Sequence, residues 1–544
     1  MELPNDYYLS NFHALTSFVS ECYSELLTDT EKQWYRAINR LPENSQRLYI
    51  RLLGRRGETF RVSKIKYSEI PDISVALKLA QKQSLISSET PSDLHELLTL
   101  FTKGELIKLL KLNNRSLTRP EVINEALSTE HNTLRQALEQ ADSFAKIHGQ
   151  AEFQVYRLCF FGNLYQDLSE FVLTDLGRQS FETYTIDKSS RAFHSREQLE
   201  AQRAVYHCLE QWDSTDVTDQ DALLALDKQL PEVAIGLNDP HLVRRVDRLR
   251  NRIARQLERL DAPMVAFSLY SRSSRPPSRE RRVRLLTQLE KYEDALSLCQ
   301  QMQDYPIAEE ELVFAELFVP KLNKAMGRDG KKPKGFRPAT TKLTLKPSEN
   351  RVELAAQDFY SQFGQCHYVE NSLINAVLGL FIWDIVFLPV ANAFYNPFQS
   401  RPADFYEPSF LQLRAKELAS RWELLADQAT FSATVWEHYE TKQGIANPLV
   451  NWNWINEELL TLALVKVPVN HYRLLFDRML RDLRNNTSGF PDLILFSRGG
   501  GYEFIEIKGP GDAVQKNQKR WMQYFSEHRI PYRVVNVRWS VSAV

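Results

Sequence analysis

A length of 544 residues calls for several domains rather than one core. Hydrophobic residues at 43% and charged residues at 25% are values of a soluble globular protein. No apolar run reaches the roughly 18–20 residues of a membrane span, since the longest, Val377 to Val390, is interrupted by Asp384. The first residues, Met-Glu-Leu-Pro-Asn-Asp, lack the basic region and apolar core of a secretory signal. Five scattered cysteines (Cys22, Cys159, Cys208, Cys299, Cys366) show no CxxC spacing, which argues against structural zinc and predicts a reducing, intracellular setting. A net charge of −1 gives no global sign of a nucleic-acid partner; the local distribution of charge does.

Residues 1–90 read as a helical domain with one extended segment. Asn11 to Leu26 has a helical period, Ser45 stands where it caps a following helix, and Thr59 to Tyr67 alternates as a strand does. A winged-helix-like unit is compatible with this order; a plain helical packing domain is the simpler expectation. Residues 91–130 follow as a helix from Leu97 to Leu110, a polar turn, and a second helix from Thr118 with Pro120 in its first turn. This pattern resembles a SAP module, with Lys103, Lys108, Lys111, Arg115 and Arg119 placed to meet phosphates; an ordinary helical hairpin with a basic rim fits equally.

Residues 131–345 continue as helices. Residues 244–284 hold 13 arginines against four acids, a local excess of nine positive charges. A solvated helix face interleaves glutamates with its cations, and here they are too few, so the stretch predicts a phosphate-binding surface. Arg244 and Arg248 open it, and Arg275, Arg279, Arg281 and Arg282 stand where a loop can gather them around a terminal phosphate. Ala262 to Tyr270 and Tyr292 to Cys299 repeat a small-residue spacing about thirty residues apart, close to the tetratricopeptide period. Lys321 to Lys346 reads as a basic linker or DNA-facing loop.

Residues 346–544 carry the chemistry. From His367 the sequence predicts a long apolar helix, with Glu370 on its inward stripe and Asp384 nearby as a competitor. Residues 392–450 read as a helical insert rich in aromatics. Gly489-Phe-Pro-Asp then leads into two apolar runs around Arg498-Gly-Gly-Gly, a β-hairpin. Side chains alternate along a strand, so Glu506 and Lys508 share one face while Ile505 and Ile507 take the other. Two acids, Asp492 and Glu506, with a lysine beside them suit a hydrolytic Mg²⁺ or Mn²⁺ site. Gln518 falls on the apolar face of the next helix and is expected to point toward the acids. A strand from Pro531 gives the order of a restriction-endonuclease-like core.

Pro491-Asp492, Glu506-Ile-Lys508 and Gln518 resemble the PD-(D/E)XK nuclease pattern in its VRR form. Together with Glu370, the Arg-rich repeats and the SAP-like hairpin they resemble the Fanconi-associated nuclease family. That resemblance implies a helical multidomain protein ending in an α/β nuclease domain. It further implies a metal-dependent enzyme that cuts 5′ flaps, degrades 5′ to 3′ and serves interstrand crosslink repair, binding branched or flapped DNA as a monomer or dimer. Glu370, Asp492, Glu506 and the Ile507 carbonyl become the implied metal ligands and Lys508 the implied catalytic lysine. The missing zinc-finger cysteines predict a compact bacterial-type member, nucleoid-associated in the cell. Two other readings remain: a Holliday-junction resolvase of the same fold, and a non-catalytic helical scaffold.

Overall fold

A computed structural model of the chain describes residues 6–110, 117–168, 171, 180–231, 239–331 and 335–540. The chain forms two compact units, Met1–Gln179 with Asp187–Leu199, and Ser180–Ile186 with Glu200–Val544. Among the described residues no helix is long and apolar enough to cross a membrane.

The first unit opens with helices Tyr7–Cys22, Asp29–Asn39 and Glu43–Leu53. Thr28 and Glu31 start the second with a reciprocal capping box. Ser45 caps nothing: Pro42 precedes the third helix, and Ser45 lies buried in its first turn. A three-stranded sheet follows, β1 (Thr59–Arg61), β2 (Ile86–Ser87) and β3 (Phe144–Ile147), with β3 in the centre and both neighbours antiparallel to it. The unit therefore carries a small antiparallel sheet among its helices. The predicted long strand from Thr59 stops at Arg61, where the chain tightens into a 3₁₀ turn.

The helical hairpin expected at 91–130 sits between β2 and β3. The single helix expected from Leu97 to Leu110 is two, Leu94–Thr99 and Lys103–Leu109, because Thr102 starts the second with its own capping box to Glu105. Thr118 and Glu121 start the Arg119–Leu127 helix the same way. Lys111 and Arg115 lie outside the described residues. Arg119 is committed to structure: its guanidinium donates to the carbonyls of Thr99, at 2.6 Å, and Phe101, at 3.2 Å.

In the second unit, helices Pro240–Arg259, Pro263–Ser271, Ser278–Gln288, Tyr292–Asp304 and Glu309–Ala325 pack each against the next, the arrangement the thirty-residue repeat predicts. Ala266 and Ala295, the small residues of the two repeats, are both fully buried.

The sheet of this unit has five strands in the order β4-β8-β7-β6-β5: β4 (Thr340–Leu345), β5 (Gly364–Tyr368), β6 (Leu493–Ser497), β7 (Tyr502–Lys508) and β8 (Tyr532–Trp539). The β6–β7 turn uses Gly500 and Gly501 at φ +95° and +77°, a backbone region in which side chains are strained. β8 returns parallel to β7 through the Lys516–His528 helix. The segment read as a linker ends in β4, an edge strand parallel to β8. One sheet face places Leu493, Leu495, Ile505 and Ile507 against the Val352–Tyr360 helix. The other places Ile494, Phe496 and Phe504 against Trp521 and Phe525 and the aromatic insert. Strand alternation thus serves two cores, and the acids lie where the second face runs out of apolar residues.

Candidate active site and arginine cluster

β6 and β7 pair with Ile494 opposite Phe504 and Leu493 opposite Ile505. Carried one residue further, that register sets Asp492 against Glu506. The two carboxylates face the same side because each lies two residues from an apolar partner on the second core. Asp492 is fixed by its Oδ2, which accepts the Ile507 N–H at 2.8 Å. Its backbone carbonyl accepts the N–H groups of Val369, at 2.8 Å, and Glu370, at 3.2 Å, which locks the end of β5 to the mouth of β6.

Glu506 has no exposed surface, and Lys508 Nζ stands 2.6 Å from its Oε1. Apart from that ammonium, no hydrogen-bond donor among the described residues reaches either Glu506 oxygen. A buried carboxylate so poorly supplied with donors is costly. Burial first, then the Asp492 charge, push the Glu506 acid up to about 8 against the pull of Lys508. Asp492 is likewise pushed up to about 6, by burial foremost and then by the charges of Glu353 and Glu370, against the Ile507 N–H and Lys508. Repulsion between acids gathered in a low-dielectric cleft is what a divalent cation relieves.

Glu370 is not on a helix. His367 and Tyr368 belong to β5, paired with Ile494 and Leu493, and the apolar helix begins only at Leu373. Glu370 occupies the intervening turn, exposed, with its Oε2 held by the Tyr368 hydroxyl. The turn brings it beside Asp492 by strand pairing rather than by helical register. Asp384 does not compete: both its oxygens are bonded to Arg421, at 2.8 and 2.6 Å. Gln518 does not serve as a wall for the acids through its carboxamide oxygen, which accepts the Gln515 N–H at 2.9 Å and caps its own helix. No three His, Cys, Asp or Glu side chains among the described residues stand at metal-ligand spacing. Tyr368 holds Glu370 and Lys508 holds Glu506 in this arrangement.

Two residues near the acids escape a reading of the sequence. Glu353, in the first turn of the Val352–Tyr360 helix, lies close enough to raise Asp492. Tyr368 binds Glu370, and burial, with Glu370 beside it, raises its phenol above the ordinary range. Position after an amphipathic helix start is the one signal for Glu353; nothing local marks Tyr368.

The 13 arginines are better compensated than their own stretch suggests. Arg244, Arg250, Arg255, Arg272, Arg275, Arg279, Arg281 and Arg284 each hold a carboxylate. Three of the acids come from outside the stretch: Asp227, Glu311 and Glu407. The structure brings Arg244, Arg248 and Arg275 together and adds Arg484, which the sequence did not single out. Arg244, Arg275 and Arg484 share Glu407 at 3.1, 2.7 and 3.5 Å in a cleft of about 620 Å³. Arg248 lines the same cleft, and burial, then the charges of Arg244, Arg275 and Arg484, hold its guanidinium below the usual range. Arg279, Arg281 and Arg282 do not join them. Arg279 binds Glu311, Arg281 binds Glu258, and Arg282 stacks over Phe267 at 5.4 Å.

Residues 427–539 match the VRR-NUC domain model, and residues 6–87 match the FAN1 HTH domain model. The chain is 33% identical over 98% of its length to the Fanconi-associated nuclease 1 homolog of Pseudomonas aeruginosa, of which the match covers 96%. The chain belongs to the Fanconi-associated nuclease family. The Arabidopsis thaliana homolog is 27% identical over 98% of this chain and 67% of the relative. A crystal structure of paFAN1 bound to DNA with a 2-nt 5′ flap and a gap superposes with a TM-score of 0.88 at 32% identity, covering all of both chains. A second, with a 1-nt flap, gives 0.83 at 32% identity over 99% of this chain and all of the other. As a Fanconi-associated nuclease, the protein is a nuclease of PD-(D/E)XK type with a helical amino-terminal half, as its sequence implies. The VRR-NUC match starts at 427, so β4, β5 and the Glu370 turn beside Asp492 lie outside the matched stretch.

Proposed function

We propose that this Fanconi-associated nuclease uses Mg²⁺ or Mn²⁺ to hydrolyse phosphodiester bonds in branched DNA, cutting 5′ flaps and trimming 5′ to 3′ in interstrand crosslink repair. The observation that carries the reading is Glu506, a fully buried carboxylate opposite Asp492, with only Lys508 among the described residues to compensate it. Hard carboxylate oxygens short of hydrogen-bond donors suit a hard divalent cation, so the donor set fits. Asp492, Glu506, Glu370 and the Ile507 carbonyl would hold it, and when bound it supplies charge stabilisation for the attacking and leaving oxygens.

The protein's own groups have separable roles in this mechanism. The Ile507 N–H fixes the rotamer of Asp492. Lys508 Nζ, carried on the strand of Glu506, lies where its ammonium can orient the attacking water and offset negative charge on the phosphate. Glu370 would take part as a ligand only by giving up its hydrogen bond from the Tyr368 hydroxyl. The cleft of Arg244, Arg248, Arg275 and Arg484 supports the reading of a 5′ phosphate: an arriving anion relieves the crowding that three cations impose on Arg248. Arg279, Arg281 and Arg282 are assigned to packing instead. The paFAN1 complexes with 5′-flap DNA support the choice of substrate.

Asp492→Ala tests the site. Cleavage of a labelled 5′ flap with Mn²⁺ should be abolished while flap binding persists; retained cleavage rejects the assignment.

A further inference from the structure

Residues 451–456, Asn-Trp-Asn-Trp-Ile-Asn, form a loop that the mechanism above leaves unused. Its two tryptophans part company. Trp452 is anchored, its indole N–H donating to the Ile445 carbonyl at 2.8 Å and its ring against Trp383 and Tyr439. Ile455 is 5% exposed. Between them Trp454 is 50% exposed. A single exposed aromatic residue means little by itself. What distinguishes Trp454 is its neighbour: its ring centroid lies 5.7 Å from that of Tyr368, the residue whose hydroxyl holds Glu370 and whose strand position faces Leu493, next to Asp492.

The presentation is rigid. Trp454 N–H donates to the Asn451 carbonyl at 3.0 Å, and Asn453 N–H to the Asn451 side chain at 3.2 Å. Asn456 caps the Glu457–Lys466 helix through Leu459 N–H at 2.9 Å, and Glu458 of that helix accepts from Gln365 of β5 at 3.2 Å. Residues 443–465 contain no lysine or arginine, and two glutamates follow the loop. The stretch therefore brings no cation of its own to a phosphate. It offers an aromatic face, and every nucleobase has a π-face to lay on it.

We infer that Trp454, backed by Tyr368, is a stacking platform for a nucleobase flanking the scissile phosphate, a specificity-determining contact that tells an unstacked base from one held in the duplex. The inference rests on the nuclease reading and deepens it.

The test uses the full chain with Mn²⁺ and 5′-flap DNA carrying a single abasic analogue, moved through each position around the cut. Wild-type protein should lose roughly 5- to 100-fold in cleavage at one position, the range of one base–aromatic stack. Trp454→Ala should cut the intact flap with that same loss and show no further loss from the abasic position, whereas Trp454→Phe should recover most of the rate. A 2-aminopurine at the sensitive position should be quenched on binding by Asp492→Ala protein and unquenched with the Asp492→Ala, Trp454→Ala pair. An abasic series that is flat in wild type, or whose loss adds to that of Trp454→Ala, overturns the stacking. Absence of wild-type cleavage on every flap overturns the nuclease reading instead, and the 2-aminopurine signal then decides the platform alone.

Discussion

Lys508 Nζ lies 2.6 Å from Glu506 Oε1, an ion pair between two side chains on one face of one strand. The lysine cannot leave without stranding a carboxylate that has no exposed surface. Removing one member of a buried pair leaves an uncompensated charge.

Lys508→Met should lower single-turnover flap cleavage by about 100-fold or more, the order lost when one pre-oriented electrostatic group is removed from an active site. The dissociation constant for flap DNA should change little. Equal losses in binding and cleavage would reassign Lys508 to substrate capture.

The raised acids set a pH dependence. Asp492 is shifted up to about 6 and Glu506 up to about 8, each from a lower ordinary value. A group whose folded value is raised favours the native state while protonated; that contribution is present below about pH 4 and is lost as pH climbs through 6 and 8. In chelator, Asp492→Asn keeps an acceptor for the Ile507 N–H and removes one charge. Its melting temperature should exceed that of wild type at pH 8, with the difference closing toward pH 4.5. A gap that widens on acidification contradicts the shift.

Arg248→Ala should erase much of any preference for a 5′-phosphorylated flap, by about 10-fold, the worth of one hydrogen bond to a charged group. Arg281→Ala should instead lower thermal stability through the loss of Glu258 as a partner and leave the phosphate preference alone. The measurement is the ratio of cleavage rates on phosphorylated and unphosphorylated flaps for each variant.

Arg414 is fully buried, its Nη1 2.9 Å from Asp404 Oδ2 and its Nε 3.0 Å from the Ile385 carbonyl. Asp404→Ala should destabilise the second unit by about 3–5 kcal/mol, read as a drop in the denaturant midpoint. A loss below about 1 kcal/mol, typical of an exposed pair, would contradict the burial.

The β6–β7 hairpin is legible in the sequence because its geometry is local. Period-two alternation alone puts Glu506 and Lys508 on one side, and consecutive glycines mark the turn. Glu370 is placed wrongly for a complementary reason: the apolar run after it extends a helical pattern backward, while the pairing that makes His367 and Tyr368 a strand comes from β6, more than a hundred residues on. β4 has the same problem. Its side chains are largely exposed, and its partner is β8. The arginine stretch looks less compensated in sequence than in the fold because charge balance is counted along the chain but settled in space, where Asp227, Glu311 and Glu407 reach it from elsewhere.

β8 lies between β4 and β7, so it is hydrogen-bonded on both sides. During synthesis, Glu370, Asp492, Glu506 and Lys508 have all been made before the strand that joins the two parts of the sheet. A nascent chain therefore carries these side chains on and beside β5, β6 and β7 before β7 has its second neighbour and before β4 has a partner, and parallel pairing over such sequence distance is slow to form. Completion of the five-stranded sheet that carries these acids therefore waits for β8.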